Sequence, residues 1–270
     1  MVRVNKKSPI GVFDSGLGGL TVFKVLARRM PEESLIYFGD TAHVPYGSKS
    51  PEAIMRFSSE VAKFLVGRGI KLLVVACNTS SAWALPAIRK AVKVPVIGVI
   101  EPGARGAIGV SRGGRIGIIG TEATVKSGAY EKTIKALKKN TRTTSVACPL
   151  FVPLVEEGWW SGTVVEAVAR RYLAPLKSAH VDTVILGCTH YPCLKPIFAR
   201  VLGSRVRLID SAEETARETE TVLCDLGLRA PRGDRGRREF YASDAPERFK
   251  RLARRMLGSG VTTVKAHSFD

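Results

Sequence analysis

The 270-residue sequence contains no hydrophobic run long enough to cross a membrane. Its apolar runs, such as residues 94–100 and 181–186, are far shorter than the ~20 residues that a membrane-spanning helix requires. The amino-terminal run is interrupted by Pro9, Gly11 and Asp14, so it lacks the unbroken apolar core of a secretory signal peptide. We therefore expect a folded, soluble protein without a membrane anchor.

Cysteine is scarce and odd in number, since the chain holds only Cys77, Cys148, Cys188, Cys193 and Cys224. An odd number of cysteines in a chain with no export signal argues against a disulfide framework. Reduced thiols are the better interpretation, and the predicted location is cytoplasmic.

Acidic residues are few compared with basic ones. The sequence has 24 Asp+Glu against 42 Lys+Arg, which gives a formal net charge of +18. The excess is concentrated in residues 228–256, which contain nine arginines and one lysine but four acidic residues. Such a segment can bind nucleic acid, although a solvated basic surface is the commoner outcome. Nucleic-acid binding is therefore an alternative and not the main hypothesis.

Short β-branched runs alternate with segments of helical period, which is typical of a parallel α/β sheet. Ser50 followed by Pro51 predicts the start of one helix, and Thr163 with Glu166 predicts a capping box at the start of another. The predicted strands are residues 10–13, 35–38, 72–76, 96–100, 116–119, 144–147, 183–187 and 206–209. Beyond them, the pattern predicts a helix at 212–226, a strand at 239–242, a helix at 246–257 and a last strand at 261–264.

The first four strands and the second four repeat a similar spacing. Gly11 precedes Cys77 by 66 residues, and Gly117 precedes Cys188 by 71 residues. A repeat of about a hundred residues indicates two similar α/β halves, since the repeats of a solenoid are only ~20–50 residues long.

Each half is predicted to present a cysteine at the carboxyl end of a central strand. The next strand in each half is predicted to end at an acidic residue, Glu101 or Asp210. Ligands of parallel sheets bind beyond the carboxyl ends of the strands, so both cysteines are expected to face one cleft. The tail is expected to return to the first half. The predicted domains are residues 1–98 plus 213–270, and residues 99–212.

Two facing thiols suit a reaction that moves a proton from one face of a carbon atom to the other. One thiolate removes a proton from the first face, and the other thiol supplies a proton to the opposite face. A lone cysteine at a strand end is usually a small buried hydrophobic residue, but Cys77 and Cys188 form a matched pair. A free thiol has a pKa of ~8.5, so each cysteine needs a neighbour that takes or positions its proton.

Three residues near the predicted strand ends are candidates for that role: Asp14, Glu156 and His190. Each also has a structural interpretation. Asp14 can cap the helix that starts near Gly18, His190 can be a structural hydrogen-bonding residue, and Glu156 or Glu157 can be surface charge.

A metal site is a weaker interpretation of the same region. Cys188, His190 and Cys193 are possible zinc ligands, but Pro192 interrupts the set and no fourth ligand stands at a usual spacing. No metal is predicted.

The glycine-rich segment 14–20 resembles a phosphate loop after a strand. It lacks the dinucleotide-binding fingerprint, because Thr21 occupies the position of the third glycine after Gly16 and Gly18, and there is no Walker lysine. Its glycines are expected to let backbone N–H groups approach a small anion such as a substrate carboxylate.

Taken together, these motifs resemble the glutamate racemase family over nearly the whole chain. The motifs with the highest specificity are Ala76-Cys77-Asn78-Thr79 and Gly187-Cys188-Thr189-His190-Tyr191-Pro192. The others lie at residues 10–22, 37–41, 45–47, 120–121, 155–158 and 208–212.

The resemblance implies two parallel-sheet α/β domains related by pseudo-two-fold symmetry, with the active site in the cleft between them. It implies cofactor-independent interconversion of L- and D-glutamate, which supplies D-glutamate for peptidoglycan synthesis. It implies that Cys77 and Cys188 are the acid/base pair, supported by Asp14, Glu156 and His190. The implied substrate contacts are Asp14, Ser15, Tyr46, Gly47, Asn78, Thr79, Thr121, Thr189 and His190. No cofactor, metal or membrane is implied, and a homodimer is the preferred assembly.

Two alternatives remain open at the level of sequence. One is a racemase of another acidic substrate, such as aspartate or a hydantoin, built on the same two-cysteine plan. The other is a nucleic-acid-binding or topoisomerase-binding protein that uses the basic carboxyl-terminal segment. Two features lie outside the motifs, namely the Arg-rich segment 229–238 and the pair Trp159-Trp160.

Overall fold

The computed structural model describes residues 4–269, whose strands form two parallel sheets. The first sheet has the order β10-β9-β2-β1-β3-β4, and the second has the order β6-β5-β7-β8. The strands of the first sheet are β1 (Ile10–Asp14), β2 (Leu35–Gly39), β3 (Leu72–Val75), β4 (Val96–Gly98), β9 (Arg238–Ala242) and β10 (Lys265–Ala266). Those of the second are β5 (Arg115–Gly120), β6 (Arg142–Ala147), β7 (Thr183–Gly187) and β8 (Arg207–Ile209).

The predicted repeat is confirmed by the order of the strands. The order β2-β1-β3-β4 in the first sheet corresponds to β6-β5-β7-β8 in the second. Ile10 pairs with Leu72, and Ile116 pairs with Thr183. Counting five residues onward from Leu72 and Thr183 makes Cys77 and Cys188 equivalent positions in the two halves.

Helices connect the strands and cover the sheets. They are α1 (Leu20–Arg29), α2 (Pro51–Gly67), α3 (Asn78–Trp83), α4 (Leu85–Ala91), α5 (Ile100–Val110), α6 (Glu122–Ser127), α7 (Ala129–Leu137), α8 (Phe151–Glu156), α9 (Thr163–Ser178), α10 (Lys195–Leu202), α11 (Ala212–Asp225) and α12 (Pro246–Leu257). Short 3₁₀ turns occur at Tyr46–Ser48 and Tyr191–Leu194. None of the helices within residues 4–269 is both long and apolar enough to span a bilayer.

The start of α2 illustrates how the sequence determines a helix. The Ser50 hydroxyl accepts a hydrogen bond from the N–H of Ala53 at 3.3 Å, and Pro51 occupies the first turn. Both features were expected, because a serine cap satisfies a free N–H group and proline has none to satisfy. The apolar face that follows is buried, with Ile54, Phe57, Val61 and Leu65 in the core.

Three local predictions are wrong. The helix α9 starts after Gly162, whose φ is +105°, and Thr163 makes no capping hydrogen bond, so the capping box does not form. Glu166 instead pairs with Arg170 and Arg200.

The other two errors concern strand ends. The strand β4 ends at Gly98, so Glu101 lies in the first turn of α5 and is exposed, not at a strand end. The last strand is Lys265–Ala266 and not residues 261–264. Val261 and Val264 are buried in the core, and pairing with β9 begins only at Lys265.

The chain after β8 returns to the first sheet. Strand β9 pairs with β2, and β10 pairs with β9. Helix α11 contacts both halves, because Glu220 pairs with Arg29 of α1 at 2.6 Å and Glu218 pairs with Arg105 of α5. This arrangement agrees with a discontinuous first domain, whereas the boundaries at 98/99 and 212/213 stay predictions.

A buried ion pair fastens this returning chain to the first sheet. Lys71 and Glu33 are fully buried and lie 2.5 Å apart. The Lys71 ammonium also donates to the carbonyl groups of Lys6 at 2.6 Å and Leu228 at 2.8 Å. Glu33 accepts the N–H of Ala230 at 2.8 Å. One pair therefore joins the amino-terminal segment, the start of β2 and the connection between α11 and β9.

Replacing Lys71 by methionine should destabilise the protein by about 3–5 kcal/mol, since Glu33 would keep a buried charge without its nearest partner and with only Arg229 at 3.7 Å. Urea unfolding followed by far-ultraviolet circular dichroism measures the loss. The double variant Lys71→Met/Glu33→Gln is the control and should recover part of the stability, because it removes both charges. A single variant as stable as the wild type would contradict this role for the pair.

Candidate functional site

Both cysteines line one small cavity between the carboxyl ends of the two sheets. The cavity is nearly closed in this structure, with a volume of about 10 Å³, the space of about one water molecule. It is lined by Ser15, Pro45, Tyr46, Gly47, Cys77, Asn78, Thr79, Thr121, Val152, Cys188, Thr189 and His190. Of the predicted site residues, only Asp14 and Glu156 are missing from this lining, and both lie directly behind it.

Cys77 lies two residues after the end of β3, at the position before the first residue of α3, where it is buried. Its thiol donates to the Ser15 hydroxyl, with 3.7 Å between Sγ and Oγ. Burial, reinforced by the negative charge of Asp14, raises the pKa of the Cys77 thiol to about 11. Cys77 therefore carries its proton at neutral pH and is suited to donate it.

Cys188 follows β7 and has a different neighbour. Its Sγ atom lies 3.7 Å from Nδ1 of His190, and Nε2 of His190 lies 2.6 Å from a carboxylate oxygen of Glu156. The three side chains form a Cys–His–Glu chain. It resembles the arrangements in which a base activates a nucleophile and a third group orients the base.

The charges of His190 and Glu156 reinforce one another. Burial alone lowers the pKa of His190, but its contacts with Cys188 and Glu156 raise that pKa well above the usual value. Burial alone raises the pKa of Glu156, but the contacts with His190 lower it below the usual value. The pair is thus a carboxylate and an imidazolium, which places a positive charge beside Cys188.

Asp14 is fully buried and connects the two halves. Its carboxylate accepts the N–H of Gly16 at 3.0 Å and the hydroxyl of Thr189 at 3.0 Å. Helix α1 is preceded by Gly19 and has no side-chain cap, so the capping role considered for Asp14 is wrong. Asp14 instead orients Thr189 at the cavity wall.

The glycine-rich loop after β1 packs against the second half. A Cβ atom at Gly16 would lie 2.6 Å from Glu156, and one at Gly18 would lie 2.5 Å from His190. The N–H of Leu17 donates to the Glu156 carboxylate at 3.0 Å. The loop N–H groups of Gly16 and Leu17 therefore bind carboxylates of the protein itself. The prediction that the loop N–H groups bind a substrate carboxylate is wrong for these two groups.

A cluster of hydroxyl groups forms the opposite wall. Thr79, Thr121 and Thr124 have their oxygen atoms 2.9–3.1 Å apart. A Cβ atom at Gly47 would lie 2.3 Å from that of Thr121, so only glycine fits there. Asn78 accepts the Tyr130 hydroxyl at 2.6 Å, which fixes the amide. These groups can donate hydrogen bonds to a bound carboxylate.

The Tyr46 hydroxyl does not point into the cavity. It donates to buried Asp40, which also accepts the Ser243 hydroxyl at 2.7 Å and lies 2.9 Å from Nδ1 of His43. Burial raises the pKa of Tyr46 well above its usual value, and Asp40 adds to the effect. Tyr46 therefore forms part of the wall through its ring, held by residues from two distant parts of the chain.

Three residues of this network were missed in the sequence: Thr124, Tyr130 and Asp40. Thr124 stands three residues after Thr121, whose hydroxyl accepts its N–H at 3.2 Å, so the capping spacing was a usable signal. Asp40 lies within the motif at residues 37–41, but its partner Ser243 is remote in sequence. Tyr130 had no signal.

The cysteines do not form a metal centre or a disulfide in the described structure. All five are free thiols, and within residues 4–269 no three His, Cys, Asp or Glu side chains are grouped to hold a metal ion. The N–H of Cys193 donates to the carbonyl of His190 at 3.1 Å, so this residue belongs to the turn after the site.

Comparison with known proteins gives consistent similarities. Residues 18–219 match the family model for Asp/Glu/Hydantoin racemase. The chain is 53% identical to a glutamate racemase of Geobacter metallireducens, with 97% of each chain covered. It is 44% identical to that of Corynebacterium kroppenstedtii, with 96% of each covered.

Solved structures show the same similarity in three dimensions. The crystal structure of glutamate racemase isoform RacE1 from Bacillus anthracis has a TM-score of 0.92, 41% identity and 98% coverage of each chain. That of the Francisella tularensis enzyme in complex with D-glutamate has a TM-score of 0.91 and 37% identity, with 98% of this chain and 99% of that chain covered. An aspartate racemase homologue from Pyrococcus horikoshii, with a TM-score of 0.56 and 21% identity, covers 80% of this chain and 99% of its own, and shares the fold.

The variant Glu156→Gln should lose stability in a pH-dependent way. The ordinary pKa values are 4.5 for glutamate and 6.5 for histidine, and folding lowers the first and raises the second. The pair therefore stabilises the fold most between these two values. Its contribution disappears as pH falls through the lowered pKa of Glu156 or rises through the raised pKa of His190.

Urea unfolding at about pH 5.5 and about pH 10 measures this difference. We expect a loss of about 1.5–3 kcal/mol at the lower pH, typical of a charged hydrogen bond, and a smaller loss at the higher pH. Glu157→Gln is the matched control, because Glu157 is 66% exposed and its surface ion pair contributes little. A loss that is the same at both pH values would show that the charges of this pair do not matter.

Proposed function

Since the chain belongs to the glutamate racemases of the Asp/Glu/hydantoin racemase family, we propose that it interconverts L- and D-glutamate with its two cysteines as acid and base. One observation carries this proposal, namely that Cys77 and Cys188 line the same small cavity from opposite halves of the protein. The family membership supports the reaction, and the cavity supports the mechanism.

The reaction consists of two proton transfers. A thiolate on one side removes the α-proton, so that an S–H bond forms and the electron pair of the broken C–H bond stays on the α-carbon. The thiol on the other side then gives its proton to the opposite face of that carbon. The roles of the two thiols are exchanged for the mirror-image substrate.

The surroundings of Cys188 favour a base. The His190 imidazolium lies beside the Cys188 sulfur, and Glu156 stabilises and orients the imidazolium. The surroundings of Cys77 favour an acid, because burial and Asp14 keep its proton in place. We infer that Cys188, with His190 beside it, takes the α-proton in one direction and that Cys77 donates the other proton.

The reverse direction requires Cys77 to become a thiolate. The ammonium group of a bound amino acid carries a positive charge into the cavity, and a nearby positive charge lowers a thiol pKa. Substrate binding therefore helps to activate Cys77, whose resting environment disfavours the thiolate.

The cavity contains polar groups for a dicarboxylic amino acid. We infer that the hydroxyls of Ser15, Thr79, Thr121 and Thr189, the Asn78 amide and the Gly47 backbone hold the two carboxylates and the amine. These donors also stabilise the negative charge that develops when the α-proton leaves. The full-length similarity to glutamate racemases favours glutamate over aspartate.

We also infer a wider role, which is the supply of D-glutamate for peptidoglycan synthesis by a cytoplasmic enzyme. The free thiols agree with a reducing compartment. A homodimer is the expected assembly, and light scattering of the purified protein tests it.

Purified protein incubated with L-glutamate and a chelator, without added cofactor, should bring the circular dichroism of the solution to zero at constant glutamate concentration. Cys77→Ser or Cys188→Ser should slow this decay by at least about 100-fold, since a general acid or base is lost. Cys224→Ser is the control, because Cys224 is exposed and lies outside the cavity. Full activity in either cavity variant would rule out the two-cysteine mechanism, and faster turnover of aspartate would change the substrate.

Turnover of L-glutamate in heavy water should place one deuterium at the α-carbon of the D-product. The donating thiol exchanges its proton with solvent, whereas the proton that is removed stays on the other thiol. Mass spectrometry of both enantiomers at low conversion measures this, with the remaining L-glutamate as the unlabelled control. An unlabelled D-product would indicate return of the same proton by a single base.

A further inference from the structure

The turn after α8, residues 156–160, determines where the Glu156 side chain lies; we call it the Glu156 turn. The N–H of Trp159 donates to the carbonyl of Leu154 at 2.8 Å, and Gly158 has a φ of +78°. These features form a Schellman cap, in which a left-handed glycine ends a helix. Because Glu156 is the last residue of α8, the position of this turn sets the direction of its carboxylate.

Two arginines of α12 contact the Glu156 turn from outside. Arg248 Nη2 donates to the carbonyl of Glu156 at 3.3 Å and to the carboxylate of Glu157 at 2.7 Å. Arg255 Nη1 donates to the carbonyl of Gly158 at 3.3 Å. The buried face of α12 packs in the core of the first sheet, whereas α8 packs in that of the second. The arginines therefore connect one half of the protein to a turn of the other.

Trp160 completes this contact. The Arg255 guanidinium lies over its ring, 4.2 Å from the centroid, in a cation–π arrangement. The indole N–H donates to the carbonyl of Val155 at 3.1 Å, and the ring packs against both cores. Trp160 thus has a defined position, whereas Trp159 is 53% exposed.

We propose that Arg248 and Arg255 are positioning residues of the racemase, which hold the Glu156 turn so that the Glu156 carboxylate stays on His190. One carboxylate oxygen of Glu156 accepts both Nε2 of His190 at 2.6 Å and the N–H of Leu17 at 3.0 Å. Both contacts require the turn in its present place. The proposal rests on the function proposed above.

The consequence is specific to one of the two cysteines. Glu156 reaches Cys188 through His190, and the position equivalent to His190 in the first half is Thr79. Within residues 4–269, Cys77 makes no hydrogen bond to Arg248, Arg255 or the Glu156 turn, and its thiol bonds to Ser15 instead. Loss of the arginines should therefore slow proton transfer at Cys188 and leave transfer at Cys77 unchanged.

Kinetic isotope effects distinguish this role from a general loss of structure. With glutamate deuterated at the α-carbon, the isotope effect reports how far C–H cleavage limits the rate. If transfer at Cys188 becomes slower, the isotope effect on kcat/KM rises for the enantiomer whose proton Cys188 removes. It falls for the other enantiomer, because reprotonation by Cys188 then limits the rate.

The test compares Arg248→Met and Arg255→Met with Arg251→Met. Arg251 lies on the same helix, is exposed, and makes no hydrogen bond or ion pair with any part of the described chain. We expect kcat/KM to fall about 10- to 100-fold in the first two variants, since a displacement of about 1 Å has effects of this size. We expect opposite changes of the two isotope effects, and wild-type values for Arg251→Met. Thermal unfolding of each variant checks that it is folded.

Unchanged rates, or equal changes of both isotope effects, would overturn the proposal. Should Arg255→Met fail to fold, the same isotope effects are measured for Arg248→Met and Trp160→Phe. The variant Trp160→Phe keeps an aromatic ring for Arg255 but loses the indole N–H. Inactive wild-type protein would overturn the proposed function and this inference with it. Active wild-type protein with unaffected arginine variants would overturn the inference alone.

Discussion

Two sheets that face each other with the carboxyl ends of their strands leave very little room where they meet. Gly16, Gly18 and Gly47 lie at this contact, and each would bring a Cβ atom within 2.6 Å of a residue from the other half. The close approach buries both thiols. The size of the cavity, the raised pKa of Cys77 and the contact between Leu17 and Glu156 all depend on it.

The two halves share a topology but not an electrostatic environment. Asp14 ends β1, whereas Gly120 ends the equivalent strand β5. Thr79 follows one cysteine at the position where His190 follows the other. A negative charge therefore lies near Cys77 and a positive charge lies near Cys188. The symmetry of the backbone brings two thiols together, and the differences between equivalent side chains give the two thiols different neighbours.

Elements that depend on local patterns were predictable, because burial and capping act within a few residues. The strands and the start of α2 are examples. The cap predicted at Thr163 failed since Gly162 adopts a positive φ that sequence patterns do not reveal. The cavity lining was predictable because the strand ends carry it, but the link from Asp40 to Ser243 joins residues far apart in the chain. The contacts of the basic segment 229–238 were likewise not predictable from local sequence patterns. Arg229 pairs with Glu220, and Arg238 binds backbone carbonyl groups, so part of this charge is used inside the protein.

The return of the chain to the first sheet also imposes an order on synthesis. The second sheet has all four of its strands once the ribosome has passed Ile209. The first sheet begins earlier but waits for β9 and β10, which come from residues 238–266. Ser243, which holds Asp40 and through it the Tyr46 wall, arrives in that late segment. The half that is started first is therefore finished last, and a nascent chain has both cysteines long before it has a complete cavity around them.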